Sequence, residues 1–217
     1  MVFVALTFDD GTLHQYFIAK LLYKYRIRGT FFCITHLDRH PNTGKQLIVT
    51  DPKKLWELHR MGHEIASHTC THPDLRHISS IKLREELYLS KEKLESIIED
   101  EVVGFAYPYS LCTDEIIEEV RKIYDYARGG TIHKDSFNLH TRDKYRISSI
   151  GVKKAMTLPL KFVHKNMGSA LIVIMMHDIS IDILLAFIYY LKVMLKPRFV
   201  TMKEISNIIA DKWKYVL

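Results

Sequence analysis

Short apolar runs alternate with longer amphipathic stretches along the whole chain. The first run, 2–8, is β-branched and aromatic, as strands buried on both faces are. Residues 14–25 then carry Phe17, Leu21, Leu22 and Tyr25 on one helical stripe. The alternation repeats as strand 29–35, helix 52–60, strand 62–68 and a long helix striped by Leu83, Leu87, Leu94 and Ile98. Punctuation agrees: Asp51 and Pro52 suit an N-cap and a first helical position, Gly62 a helix end, and Ser79 or Ser80 a cap for the long helix. In the second half, strands are expected over 102–107, 126–128, 145–152 and 170–176. Helices are expected over 113–124 with Thr113 as N-cap, over 158–166 closed by Gly168, and over 183–196; residues 199–201 and 204–213 finish the chain. About seven strands, nearly all followed by a helix, predict an α/β fold with a helix-covered parallel sheet, either a closed or incomplete barrel or an open doubly wound sheet. With no linker or fixed-period repeat, 1–217 is expected to be one domain.

The strand ends carry the chemistry. Asp9-Asp10-Gly11 follows the first strand and His68-Thr69-Cys70-Thr71-His72 the third. Pro108-Tyr109 follows the fourth, and His177-Asp178 the run 170–176. In parallel α/β folds that edge holds the active site, because the βα loops converge there. Each group also has a plainer reading. Asp-Asp-Gly suits an ordinary strand exit, and His177, behind seven apolar residues, suits a satisfied core position. Two adjacent carboxylates nevertheless repel unless a cation or donor separates them, so that one binds a metal and the other stays free as a base. Asp10 with His68 and His72, four apart past a buried strand, makes a three-ligand site with room for water and substrate, the arrangement of a catalytic zinc. The donor set also suits cobalt, nickel or iron(II). His177 at the same edge suits an acid or base. The pairs His36/His40 and His59/His63 share the four-residue spacing, but one falls in a polar loop and the other straddles a helix end, so both are expected to be solvated. Cys70 is a rival metal ligand, whereas Cys33 and Cys112 read as small core or loop residues.

Composition narrows the classes. With 47% apolar and 26% charged residues the chain can bury a core, which excludes disorder. The formal charge is +6, yet 31 basic residues are interspersed with 25 acidic ones and never stand three together, so no nucleic-acid partner is expected. No Gly-x-Gly-x-x-Gly or phosphate loop follows the first strand. The longest apolar runs, 170–176 and 183–191, fall short of the ~20 residues of a membrane span. Met-Val-Phe-Val-Ala-Leu lacks a basic leader and runs on to Asp9 and Asp10, which points to the cytoplasm, or to a chain whose leader has been removed. Three cysteines cannot form a disulfide framework. Histidine is the outlier, at twelve of 217. Oligomeric state is not legible.

In this order the residues resemble the polysaccharide deacetylases of carbohydrate esterase family 4, the NodB homology domain. The family's T-F-D-D-G is present as Thr7-Phe8-Asp9-Asp10-Gly11, its H-[ST]-x-x-x-H as His68-Thr69-Cys70-Thr71-His72, and its late apolar-x-His as Met175-Met176-His177. Thr30-Phe31-Phe32, the segment 62–68 and the segment 199–202 match its phrasing too. The resemblance implies an irregular (β/α) barrel. It implies Asp9 as catalytic base, Asp10, His68 and His72 as ligands of a divalent metal, most often zinc, Tyr109 as the backbone N–H donor to the oxyanion, and His177 as catalytic acid. The implied activity is metal-dependent removal of N-acetyl groups from an amino sugar, a chitin-like oligosaccharide or a peptidoglycan fragment. The alternatives are a small non-sugar amide of the allantoin type, or a non-catalytic carbohydrate-binding relic, against which the intact Asp9 argues. Two motifs depart. The family's R-x-P-[YFW] is here Ala106-Tyr107-Pro108-Tyr109, leaving alanine where an arginine braces the base; Arg128, after the next strand, is the candidate replacement. The D-x-x-D-W motif that orients the catalytic histidine has only Asp143 as a weak candidate.

Overall fold

The computed structural model describes residues 1–129, 143–157 and 170–213. The opening apolar run forms β1 (Val2–Phe8), and the short runs that follow form β2 (Thr30–Cys33), β3 (Glu64–Ser67), β4 (Gly104–Ala106) and β5 (Tyr126–Arg128). β6 (Ile150–Gly151), β7 (Ala170–Met176) and β8 (Arg198–Phe199) come later. The order is β5-β4-β3-β2-β1-β7-β6, with β8 beside β1. All these strand pairings are parallel. A bridge between Arg128 and Ile147, with the Gly129 N–H on the Ile147 carbonyl at 2.8 Å, lays the approach to β6 along β5. The sheet thereby curls into the expected irregular (β/α) barrel.

Seven α-helices cover it among the described residues: α1 (Leu13–Lys24), α2 (Pro52–Arg60), α3 (Ser80–Ile98), α4 (Asp114–Arg121), α5 (Val152–Thr157), α6 (Ile181–Leu195) and α7 (Met202–Trp213). The expected caps form: Asp51 accepts from the Lys54 N–H, Ser79 from Lys82 and Thr113 from Ile116. None of these helices is long and apolar enough to cross a membrane. The expected helix 158–166 lies outside the described residues. One strand expectation is corrected. Of 145–152 only Ile150–Gly151 pairs with β7, and α5 starts at Val152. The aromatic Tyr145 that argued for a longer strand is spent on packing: its hydroxyl donates to the Tyr124 carbonyl and Arg121 lies over its ring.

Period-2 alternation sorts the core and then aims the site. On β1, Val4, Leu6 and Phe8 pack outward with the helices, while Ala5 joins Phe32, Ala66, Ala106, Tyr126, Leu171 and Val173 inside the barrel. Met202, Ile205 and Ile209 of α7 close that interior cluster. Successive residues of a strand face opposite sides. Continuing the inward register therefore carries Ala5 to Thr7 and Asp9, Ala66 to His68, Tyr126 to Arg128, and Val173 to Met175 and His177.

His63 is not solvated, contrary to the sequence expectation. It is 2% exposed, its Nδ1 accepts from the Gly29 N–H at 3.1 Å and its Nε2 lies 3.0 Å from the Ala19 carbonyl. The chain folds it under α1, a non-local contact that four-residue spacing does not report. Burial lowers its pKa from 6.5 to about 4. Between those values the unfolded chain binds more protons than the folded one, so stability falls as pH drops. The melting temperature of the wild type should therefore decline from pH 6.5 toward pH 4, and His63→Gln should flatten that decline. Parallel profiles for the two proteins would refute the assignment.

Candidate active site

The β1 exit is pinned by its backbone. The Asp9 N–H donates to the Met176 carbonyl at 2.8 Å, Gln15 Nε2 donates to the Asp9 carbonyl, and the Ile48 N–H donates to the Gly11 carbonyl at 2.8 Å. Gly11 has φ +66°, and a Cβ there would lie 3.0 Å from Cys33 Cα, so both conformation and space demand glycine. The loop after β3 is shaped by Glu86, a carboxylate buried on α3. It accepts from the N–H groups of Cys70 and Thr71 at 2.8 and 2.9 Å and from the Thr71 hydroxyl at 2.7 Å. The Thr69 hydroxyl in turn accepts from the His72 N–H at 2.9 Å. Eight non-glycine residues among those described have positive φ, and five stand at this edge: Asp10, Thr69, His72, Tyr109 and Ser110. Backbone strain of this kind clusters where function over-determines geometry.

Asp10, His68 and His72 are all buried. His68 Nε2 lies 3.7 Å and His72 Nε2 3.8 Å from Asp10 Oδ1, a buried oxygen with no hydrogen-bond partner. A tetrahedral ion with bonds near 2.1 Å separates its ligand atoms by about 3.4 Å, and both of these distances lie within a few tenths of an ångström of that spacing. His68 Nδ1 lies 2.8 Å from the Ala106 carbonyl, which fixes the proton there and leaves Nε2 bare. Burial lowers both histidine pKa values to about 3, so both lone pairs are available at neutrality. Burial also raises the pKa of Asp10; His177 and His40 oppose that shift, and Asp9 and Asp178 add to it. A bound cation would pull the Asp10 pKa back down and lower those of the two histidines further.

Arg128 stands where the departure at Ala106 required a cation. Its side chain is 1% exposed, and one guanidinium nitrogen donates to both Asp9 oxygens at 2.6 Å. Ala106 and Arg128 are partners across adjacent strands, so the guanidinium has moved one strand along the barrel at constant height. Its other arm donates to Ser149 Oγ at 3.0 Å and its plane lies over Phe32.

A cavity of about 430 Å³ gathers Asp9, Asp10, His72, Tyr109 and His177. Tyr109, at φ +58°, packs its ring edge-on to His72 at 4.7 Å. Asp178 accepts from the Thr12 hydroxyl and from Lys45 Nζ, the latter at 2.6 Å, and so ties down the turn bearing His177. Asp143 is not part of this group. It accepts from the Tyr145 N–H and pairs with Arg121 and Arg146. Cys70 is also removed as a rival ligand, because its thiol faces the Glu85 and Glu86 carbonyls and burial pushes its pKa up to about 11.

The sequence reading missed His40. Expected in solvent, it is 6% exposed, with Nε2 3.4 Å from Asp10 Oδ2, and it forms a metal-capable group with Asp10 and His72. The strand-end rule would have found it, because 36–47 is the connection after β2 and converges on the same edge. His36, its spacing partner, does remain exposed.

The fold neighbours include a pseudoenzyme. The Xyl-CE4 domain of a multidomain xylanase from the hindgut metagenome of Trinervitermes trinervoides superposes with TM-score 0.62 at 24% identity, over 98% of this chain and 91% of that one. A CE4 family pseudoenzyme from Bacillus anthracis superposes with TM-score 0.65 at 17% identity, over 94% of this chain and 65% of that one. In sequence the chain is 26% identical over 118 residues to a chitooligosaccharide deacetylase of Bradyrhizobium sp. (strain ANU 289), covering 52% of this chain and 49% of that relative. It is 27% identical over 122 residues to a peptidoglycan-N-acetylglucosamine deacetylase of Bacillus cereus, covering 55% and 52%. The chain thus spans about half the length of these two relatives. The family model described as polysaccharide deacetylase matches residues 2–126, more than half of the sequence and both N-terminal motifs, and on that match the chain belongs to the polysaccharide deacetylase family.

Proposed function

We propose that the protein is a metal-dependent deacetylase that hydrolyses N-acetyl groups of an amino sugar, a chitin-like oligosaccharide or a peptidoglycan fragment. The observation that carries this reading is one carboxylate, Asp9, gripped by Arg128 next to a second, Asp10, set between two histidines with a bare oxygen. Asp10, His68 and His72 hold the ion, zinc by preference, with cobalt, nickel or iron(II) also suited to the donor set. When bound, such an ion supplies Lewis-acid chemistry, acidifying water and polarising an acyl carbonyl. Asp9 takes the proton of the attacking water, and Arg128 keeps that carboxylate in place. The Tyr109 backbone N–H faces the charge that develops on the acetyl oxygen, a kind of contact worth about 3–4 kcal/mol. His177 protonates the departing amine, which is a poor leaving group without that proton.

The cavity shape favours an oligomeric substrate over a small amide. A second cavity of about 480 Å³ adjoins the first along Thr12, Lys45 and Asp178 and extends past His14 and Ile179. Acetate release should be screened with zinc or cobalt across N-acetylglucosamine oligomers, peptidoglycan fragments and small acetylated amides. The oligomers should be turned over best, at kcat/KM values rising with length. A preference for small amides would replace this substrate class with the non-sugar reading, and no turnover of any would return the protein to a binding role.

A further inference from the structure

His40 has no part in the reaction as derived so far. We infer that it is a positioning residue for Asp10: its Nε2–H donates to Asp10 Oδ2 and it is not a fourth metal ligand. The inference rests on the reading that Asp10, His68 and His72 hold the ion.

The ring's other nitrogen decides the matter. His40 Nδ1 accepts from the Asn42 N–H at 3.1 Å and from the Thr43 N–H at 3.2 Å. A neutral imidazole has one donor and one acceptor nitrogen, so the proton is on Nε2, the atom 3.4 Å from Asp10 Oδ2. Coordination through Nε2 would require an imidazolate with backbone donors on Nδ1. His68 is the opposite case, since its Nδ1 faces a carbonyl and its Nε2 is bare. His63, in the core, repeats the His40 pattern with no metal-capable group beside it among the described residues. Proximity therefore puts His40 among the candidate ligands, and hydrogen bonding takes it out.

Asp10 is thereby divided. Oδ1 faces His68 and His72 with no hydrogen-bond partner, while Oδ2 faces His40. A donor on the outer oxygen stops the carboxylate from rotating and presents a single oxygen to the ion. The contact is a few tenths of an ångström longer than a settled N–H···O bond of about 2.7–3.2 Å. The backbone around His40 is itself fixed. Its N–H donates to the Lys45 carbonyl at 2.8 Å, its carbonyl accepts from Gly44 at 2.9 Å, and the Leu13 N–H bonds the Gln46 carbonyl at 2.8 Å. With three protein ligands rather than four, a bound ion would keep a position open for water or substrate.

Long-range proton–nitrogen NMR of the histidine rings in the zinc-loaded wild type tests this without a variant. His40 should show a protonated Nε2 and a bare Nδ1, and His68 a protonated Nδ1. A His40 with its proton on Nδ1 and zinc on Nε2 overturns the inference, whereas a wild type that binds no zinc overturns the ligand reading beneath it. In chelator competition, His40→Ala should weaken zinc binding about 10–100-fold, and His40→Gln, whose amide can donate in place of Nε2, should recover part of that. The cobalt-loaded His40→Ala protein should keep the wild-type absorption bands. Unchanged zinc affinity, or bands shifted as by the loss of a ligand, would contradict the positioning role.

Discussion

Asp9→Asn should retain one equivalent of zinc and release acetate about 10²–10⁴-fold more slowly than the wild type. The substitution keeps the shape of a side chain that is 5% exposed and leaves Asp10, His68 and His72 untouched, but an amide cannot take a proton from water. Elemental analysis beside steady-state kinetics separates the two effects. The amide also stops balancing the Arg128 guanidinium, which donates to both carboxylate oxygens at 2.6 Å, so the melting temperature should fall as well. Turnover should therefore be read well below the new transition. Zinc retained with turnover near wild type would remove Asp9 as the base.

Arg128→Ala should be nearly as damaging, and in two ways. Removing one partner of a buried pair strands the other charge, at about 3–5 kcal/mol of stability. It also frees the Asp9 carboxylate from the orientation in which it meets water. Because Ala106 is the cross-strand partner of Arg128, a guanidinium returned to β4 can reach the same carboxylate through the space Arg128 vacates. The double variant Ala106→Arg/Arg128→Ala should thus recover both stability and kcat relative to the single one. A fully active Arg128→Ala, or a double variant no better than the single, would show that Asp9 does not depend on this cation.

The strand ends made most of the site legible. Asp9, Asp10, His68, Tyr109 and His177 follow β1, β3, β4 and β7, and the inward period-2 register predicts which of them enter the barrel. Arg128 was legible for the same reason, because it ends β5. His40 and His63 were not. Both are buried by segments that fold back from elsewhere, the 36–47 loop onto the β1 exit and α1 over the start of β3, and neither contact leaves a periodic trace; only for His40 does a place in the connection after β2 give a signal. Glu86 was hidden too, because a charge among the leucines of α3 reads as solvated until the loop it braces is seen. The segment 145–152 failed as a strand because its aromatic and branched residues serve packing as well as pairing, which composition cannot separate.

The central claim is that one ion held at the β1–β3 edge drives deacetylation. Its most direct measurement is acetate release from an N-acetylglucosamine oligomer by a single wild-type preparation before chelation, after it, and after zinc is restored. Release that tracks one zinc per chain, stops on chelation and returns with the metal is the result predicted. Release that continues in the metal-free protein would contradict it.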